Sequence, residues 1–285
     1  MCIVHPSLVH STIMSTPAQI LSAIDGVLSN TKWRGPPSDM THLHDPQHLE
    51  VFKHLGNSES VISQRIVDKA QALIESSSPK EFRICSVGCE DGSLDKVVLD
   101  KLSKTNPSIK FYYTGIETDE QVCEAAEERL SEIASNIQVK FIVKDYEELS
   151  KGDFTEAFDL MFMVNCTYYA SSLEQLLKGA VQLLKPSGEL IIISSSRQSF
   201  EELITRFWSH QRTHDLHTSE TVTATLSKLK IKHSVDKAPV TFDLTECFND
   251  DFKSASSLLI LDHLVFTRYS IACQVPFLVV TLIMY

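Results

Sequence analysis

From residue 80 onward, apolar and polar positions alternate between two periods, and the switch between them marks successive elements. The run Arg83-Ile84-Cys85-Ser86-Val87-Gly88 predicts a strand over 83–88. Leu94, Val97, Val98 and Leu102 then fall on one helical stripe and predict a helix over 93–104. A second strand is expected at 110–117, and a helix at 119–134 with Glu124, Glu127 and Glu128 on its outer face. Strands at 138–143 and 158–164, a helix at 172–184, the turn Lys185-Pro186-Ser187-Gly188 and a strand at 189–195 complete the regular part. Upstream, Val61, Ile62, Ile66, Ala70 and Leu73 predict a helix over 57–76, with Asn57 or Ser58 as its cap. A short helix precedes it at 48–54. Downstream the pattern loosens into helices at 200–208 and 219–229, short strands at 230–235 and 240–244, and a last strand at 275–284. Residues 1–45, with prolines at 6, 17, 36 and 37, read as a poorly defined leader broken by one short helix near 18–28. Strands alternating with helices and joined by short connections predict an α/β fold, a doubly wound, mostly parallel sheet of seven strands preceded by N-terminal helices.

Candidate chemistry gathers where such a sheet binds ligands, at the carboxyl ends of its strands. The first strand ends in Gly88, three residues of turn character follow, and Gly92 opens the helix. Glycine serves where the chain turns sharply or a ligand approaches the backbone. The second strand ends in an acid, Glu117, placed to accept both hydroxyls of a ribose. Together these residues describe a site for an adenosine-containing cofactor; an ordinary strand-to-helix turn is the plainer alternative. Only two glycines are present, so the dinucleotide fingerprint is incomplete, and no GK[ST] follows to make a P-loop. Glu90 and Asp91 occupy the turn where a pyrophosphate would need donors. A cofactor without phosphate, such as S-adenosyl-L-methionine, fits better.

Composition narrows the setting. The 285 residues are 43% hydrophobic and 22% charged, as in a globular chain, with a formal net charge of −11. No basic patch stands out, which argues against nucleic acid as a partner. The seven cysteines are scattered with no CxxC pair, so neither a disulfide framework nor a zinc site is indicated, and reduced thiols in a cytoplasmic protein are expected. The N-terminus lacks the features of a signal peptide. No stretch reaches the 18 or so apolar residues of a membrane helix, so no membrane partner is expected. His42, His44, Asp45 and His48 crowd the end of the leader. A polar loop entering a helix explains them better than a metal site, because no later residues complete a ligand set. A monomer is the default expectation.

The same blocks resemble a known group. The glycine turn, the acid ending the second strand, Asp145 after the third and the LLKPSGELIII segment resemble the class I S-adenosylmethionine-dependent methyltransferases, with their Rossmann-like sheet. The blocks NSESVISQRIVDK (57–69), ICSVGCEDGSLD (84–95), IETDEQ (116–121), VKFIVKDYEEL (139–149), FDLMFMVNCTYYA (158–170) and DLTECFND (243–250) are closer still to the histamine N-methyltransferases. The resemblance covers roughly 50–265. It implies a single domain over 46–285, with a cofactor half at about 80–195 and substrate-covering parts at about 46–78 and 196–265. It implies S-adenosyl-L-methionine as cofactor and a small amine, histamine first, as substrate. By the same resemblance Gly88 lets the methionine part approach, Glu117 holds the ribose with Gln121 nearby, and Asp145 or its neighbour Tyr146 borders the adenine. Val164 and Asn165 lie beneath the methyl donor, Tyr168 and Tyr169 wall the acceptor pocket, and Glu59 holds the cationic amine. Read on their own, Glu59 is a first-turn acid favoured by helix-end electrostatics, Glu117 a strand-end acid, Asn165 a satisfied polar residue and the tyrosines core aromatics. No general base is assigned. The sequence departs from the group in Cys89-Glu90-Asp91, where the group is glycine-rich, and in a final strand without the amide that the group presents to its substrate. Another small amine or hydroxyl acceptor, or a non-catalytic interaction protein on the same fold, are the alternatives.

Overall fold

The computed structural model describes residues 56–154, 156–167, 170–195, 217–240 and 275–283. The expected leader, the helices at 18–28, 48–54 and 200–208, the histidine group, residues 241–244 and Tyr168 and Tyr169 lie outside the described residues.

Helix α1 (Ser58–Ser77) buries Ile62, Ile66, Ala70 and Ile74 at a spacing of four, so the apolar stripe is narrower than the sequence suggested. It ends where Ser78 turns left-handed (φ 46°) and donates its N–H to Ile74 O. Strand β1 (Glu81–Val87) and helix α2 (Ser93–Thr105) follow, then β2 (Lys110–Glu117), α3 (Glu120–Leu130) and β3 (Ile137–Val143). The Asp119 carboxylate caps α3 by accepting from the N–H groups of Gln121 and Val122. No helix follows β3; two short 3₁₀ turns, Tyr146–Glu148 and Lys151–Asp153, lead to β4 (Phe158–Val164). Then come α4 (Leu173–Leu183), β5 (Leu184–Ser195), α5 (Ser219–Lys228), β6 (His233–Val240) and β7 (Val275–Ile283).

The sheet order is β3-β2-β1-β4-β5-β7-β6. Strands β1 to β5 are parallel, and β7 runs antiparallel to both its neighbours. The central strands read as unbroken apolar runs because both faces are covered. Ile84, Cys85, Leu160, Met161, Met163 and Leu190 to Ile193 are fully buried. The strand order reverses between β1 and β4, the point at whose carboxyl ends sheets of this kind bind their ligands.

Two expectations are corrected. Lys185-Pro186-Ser187-Gly188 is not a turn ahead of the fifth strand. Leu184 already pairs with Phe158, and the register then jumps to Glu189 opposite Leu160, so these residues form a bulge inside β5. Gly188 is required there because a Cβ would stand 2.6 Å from Phe158 O. The strand expected at 230–235 is β6, which runs on from His233 to Val240; the rest of the one expected at 240–244 lies outside the described residues. The polar interruption hid its length: β6 is the edge strand, which tolerates the missing N–H of Pro239, and Asp236 faces outward to Arg65 of α1 at 2.7 Å. Ala238 and Val240 carry the buried face.

One buried acid makes stability depend on pH. Asp95, in the first turn of α2, is 1% exposed, and Tyr113 Oη donates to it at 2.7 Å. Burial pushes its carboxyl up to about 6 from an ordinary 3.8, although hydrogen bonds from Tyr113 and Ser86 pull the other way. The folded protein therefore holds this proton more tightly than the unfolded chain. The contribution is complete below about pH 4 and is lost as pH rises through about 6, roughly 3 kcal/mol in all at 1.36 kcal/mol per unit. Asp95→Asn is expected to remove this slope. Thermal midpoints of both proteins from pH 4 to pH 8 measure it, and parallel curves would show that Asp95 titrates normally.

Candidate functional site

The site is built on the turn that ends β1. Gly88 (φ +69°) and Gly92 (φ +71°) take left-handed conformations that glycine adopts freely. The N–H groups of Gly88 and Cys89 both donate to Ile116 O, at 2.8 and 3.1 Å, so the turn is fastened to the end of β2. On its other side Gly88 faces the segment after β4: a Cβ there would lie 2.7 Å from Cys166 Cβ and 3.4 Å from Tyr146 Oη. The Cys166 thiol donates to Val87 O at 3.2 Å. Burial pushes the Cys85, Cys89 and Cys166 thiols up, so none supplies a thiolate.

Both acidic residues of the turn are tied into the fold, Asp91 by its carboxylate and Glu90 by its backbone. Asp91 pairs with Arg129 Nη2 at 2.9 Å, and its other oxygen accepts from Ser93 N–H at 3.1 Å. Arg129 Nε also donates to Asp91 O. Glu90 uses its backbone N–H, which donates to Glu117 Oε2 at 3.1 Å.

Glu117 lies at the end of β2 and is 7% exposed. Its Oε1 accepts from Thr118 N–H at 2.7 Å, Thr118 Oγ1 at 3.1 Å, Asp119 N–H at 3.4 Å and Tyr146 Oη at 3.4 Å. Backbone and hydroxyl dipoles thus fix an anionic acceptor in place. Tyr146 is the first and buried residue of the first 3₁₀ turn, and Asp145 heads that turn by accepting Glu147 N–H at 2.9 Å. At the end of β4, Asn165 has φ +50° and donates its N–H to Ile193 O. Its Oδ1 is buried without a hydrogen-bond partner. A buried amide oxygen without a donor carries a cost that a ligand donor would remove.

The structure therefore brings Gly88, Glu117 and Asn165 to adjoining strand ends, with Asp145 beside them on an exposed turn. Val164 is the last residue of β4. Gln121 is exposed in the first turn of α3, its N–H held by Asp119, and no hydrogen bond ties it to Glu117. Glu59 stands partly buried in the first turn of α1. Two residues that join the parts, Glu147 and His217, escaped sequence reasoning, which offered Tyr146 beside Asp145 at the adenine but not its bond to Glu117. Tyr146 links Glu117 to the glycine turn. Glu147 accepts from the segment after β4. His217 lies 3.1 Å through Nε2 from Ala170 O, while its backbone oxygen accepts from Thr167 and Ser194. A lone histidine in a polar run and one acid among several give no signal in a single sequence. Among the described residues no cluster of metal-ligating side chains occurs, and no helix is long and apolar enough to cross a membrane.

Residues 85–190 match the family model described as a methyltransferase domain. The chain is 25% identical over 219 residues to histamine N-methyltransferase of Bos taurus, covering 72% of this chain and 75% of that one. It is 28% identical over 177 residues to carnosine N-methyltransferase 2 of Gallus gallus, covering 59% and 55%. Among solved structures, the plantazolicin methyltransferase BpumL in complex with SAH superposes with a TM-score of 0.53 at 14% identity, covering 93% of this chain and 99% of that one. The strand order with an antiparallel β7, the glycine turn and strand-end acid, and these matches agree: the chain is a class I S-adenosylmethionine-dependent methyltransferase of histamine N-methyltransferase-like sequence.

Proposed function

We propose that the protein methylates a ring nitrogen of a small imidazole amine, histamine first, as a monomer in the cytoplasm. The observation that carries this reading is the likeness to histamine N-methyltransferase across 72% of the chain, centred on a site whose parts suit the cofactor. The Gly88 turn leaves room for the methionine end of S-adenosylmethionine. The buried Glu117 carboxylate takes the ribose hydroxyls, with Gln121 at its rim. Asp145 and Tyr146 border the adenine. Val164 and Asn165 close the floor, where the unpartnered Oδ1 is available to a donor.

S-adenosylmethionine, when bound, supplies an electrophilic methyl group on a sulfonium sulfur. The chain's own task is to hold an unprotonated nitrogen in line with it and keep water out. An imidazole with a pKa of about 6.5 is largely neutral at pH 7, so alignment matters more than a strong base. The primary ammonium of the same amine stays charged and needs a carboxylate and aromatic walls, the roles assigned to Glu59, Tyr168 and Tyr169. The likeness to a carnosine N-methyltransferase favours a second reading in which a larger imidazole amine takes histamine's place. The pairing of Asp91 with Arg129 offsets one of the two acids of the turn and so supports the catalytic reading over a non-catalytic one.

Calorimetric titration with S-adenosylhomocysteine, with and without histamine, tests the reading. Histamine binding that depends on the cofactor product supports it; cofactor binding without histamine binding moves the acceptor elsewhere. Glu59→Gln is expected to raise KM for histamine about 10- to 100-fold, the loss of one charge-assisted bond of about 1.5–3 kcal/mol, and to leave cofactor affinity unchanged. An unchanged KM removes Glu59 from the pocket.

A further inference from the structure

We infer that Glu147 is a positioning residue for the acceptor side of the site, tying the segment after β4 to the turn that borders the cofactor. The inference rests on the methyl-transfer reading above. One Glu147 carboxylate takes three donors from two consecutive residues: Ser171 N–H at 2.8 Å and Ser171 Oγ at 2.6 Å on Oε2, and Ser172 N–H at 2.6 Å on Oε1. Ser172 is also the cap of α4, its Oγ accepting from Gln175 N–H. Burial would raise the Glu147 carboxyl, but the bonds from Ser171 and Ser172 and the nearby His217 outweigh it and hold the group below its ordinary value. It is therefore ionised at neutral pH.

The segment is held at its other points as well. His217 Nε2 lies 3.1 Å from Ala170 O, so that nitrogen carries the proton and donates. Thr167 Oγ1 donates to His217 O, and the Cys166 thiol donates to Val87 O. Anchors at Cys166, Thr167, Ala170, Ser171 and Ser172 thus bracket the two positions that sequence fills with Tyr168 and Tyr169.

The far side of Glu147 leads to the cofactor site. Its N–H donates to Asp145 Oδ1 at 2.9 Å, and the preceding Tyr146 donates to the carboxylate of Glu117. The turn is stiffened by Glu148 N–H to Asp145 O and Leu149 N–H to Tyr146 O, with Tyr146 and Leu149 buried. Three consecutive residues therefore touch three different things: Asp145 the rim, Tyr146 the ribose acid and Glu147 the acceptor segment. A ligand that fixes the first two also fixes the third, because the turn moves as one piece. A mere helix cap would make no use of this connection.

Hydrogen exchange followed by mass spectrometry separates the two, with S-adenosylhomocysteine as the probe. In the natural protein the probe is expected to slow exchange both at 145–149 and at 170–176. In Glu147→Gln, whose amide NH2 cannot accept, only the first region should slow, and Ser171→Ala should fall between. With histamine as acceptor, Glu147→Gln should raise KM about tenfold while probe affinity stays within about twofold. Slowing of both regions in Glu147→Gln overturns the inference. So does a variant that loses thermal stability and slows neither region, which marks a purely structural role. If the probe slows only the first region of the natural protein, the inference fails and the methyl-transfer reading stands. If it slows neither, both fail.

Discussion

Gly88→Ala should lower the thermal midpoint by on the order of 10 °C and weaken cofactor binding with it. The substitution forces an alanine into φ +69°, at about 1–2 kcal/mol. It also drives a Cβ to 2.7 Å from Cys166 Cβ. That neighbour is fixed to its own backbone and cannot swing away, so the ends of β1 and β4 must part, at about 1–3 kcal/mol for an overfilled core. The sum, about 2–5 kcal/mol, is a large share of the 5–15 kcal/mol that holds a typical domain. The double variant Gly88→Ala with Cys166→Gly restores the space and should recover the steric part while the backbone part remains. Thermal unfolding of the three proteins measures this. A single variant as stable as the natural protein would mean that the turn is not pressed against the segment after β4.

Glu117→Gln should raise the dissociation constant for S-adenosylhomocysteine about 100-fold or more, from two weakened charge-assisted bonds of about 1.5–3 kcal/mol each. The geometry explains why so conservative a change is costly. Both carboxylate oxygens already accept, one from Glu90 N–H and the other from Thr118 and Tyr146. An amide can accept on only one side, so one buried donor is left without a partner. Calorimetry with the 2′-deoxy analogue of the same ligand completes a double cycle. The analogue should bind less well than the parent to the natural protein, and about as well as the parent to the variant. An equal penalty in both proteins would place the ribose elsewhere.

The central parallel strands were legible because they are covered on both faces and written as apolar runs, while β3, at the sheet edge, showed itself by alternation. Gly88 and Glu117 were legible for a related reason: a turn glycine and a strand-end acid stand at positions that the strand pattern itself defines. What escaped depends on contacts that sequence spacing does not display. Asp91 read as an obstacle to a pyrophosphate, and spacing gave no sign that Arg129, a full helix away, pairs with it. Glu147 and the hydroxyl contact of Tyr146 belong to a turn without periodicity, and their partners lie after β4 and on β2. Strand β6 read as shorter than it is because an edge strand tolerates the proline and charges that an interior strand forbids.

The placement of β7 bears on how the chain comes to its native form during synthesis. Strand β7, made after both β5 and β6, lies between them, pairing Ile192 with Val280 on one side and Val235 with Val280 on the other. Until residue 275 leaves the ribosome, β5 is an open edge and β6 has no partner. The nascent protein therefore carries its cofactor half as a nearly complete parallel sheet with an unfinished, apolar margin, a condition in which chaperone contact or mispairing with another chain competes with folding. Completion depends on a contact between distant parts of the sequence, so the closing of the sheet is expected to follow the folding of its parallel part.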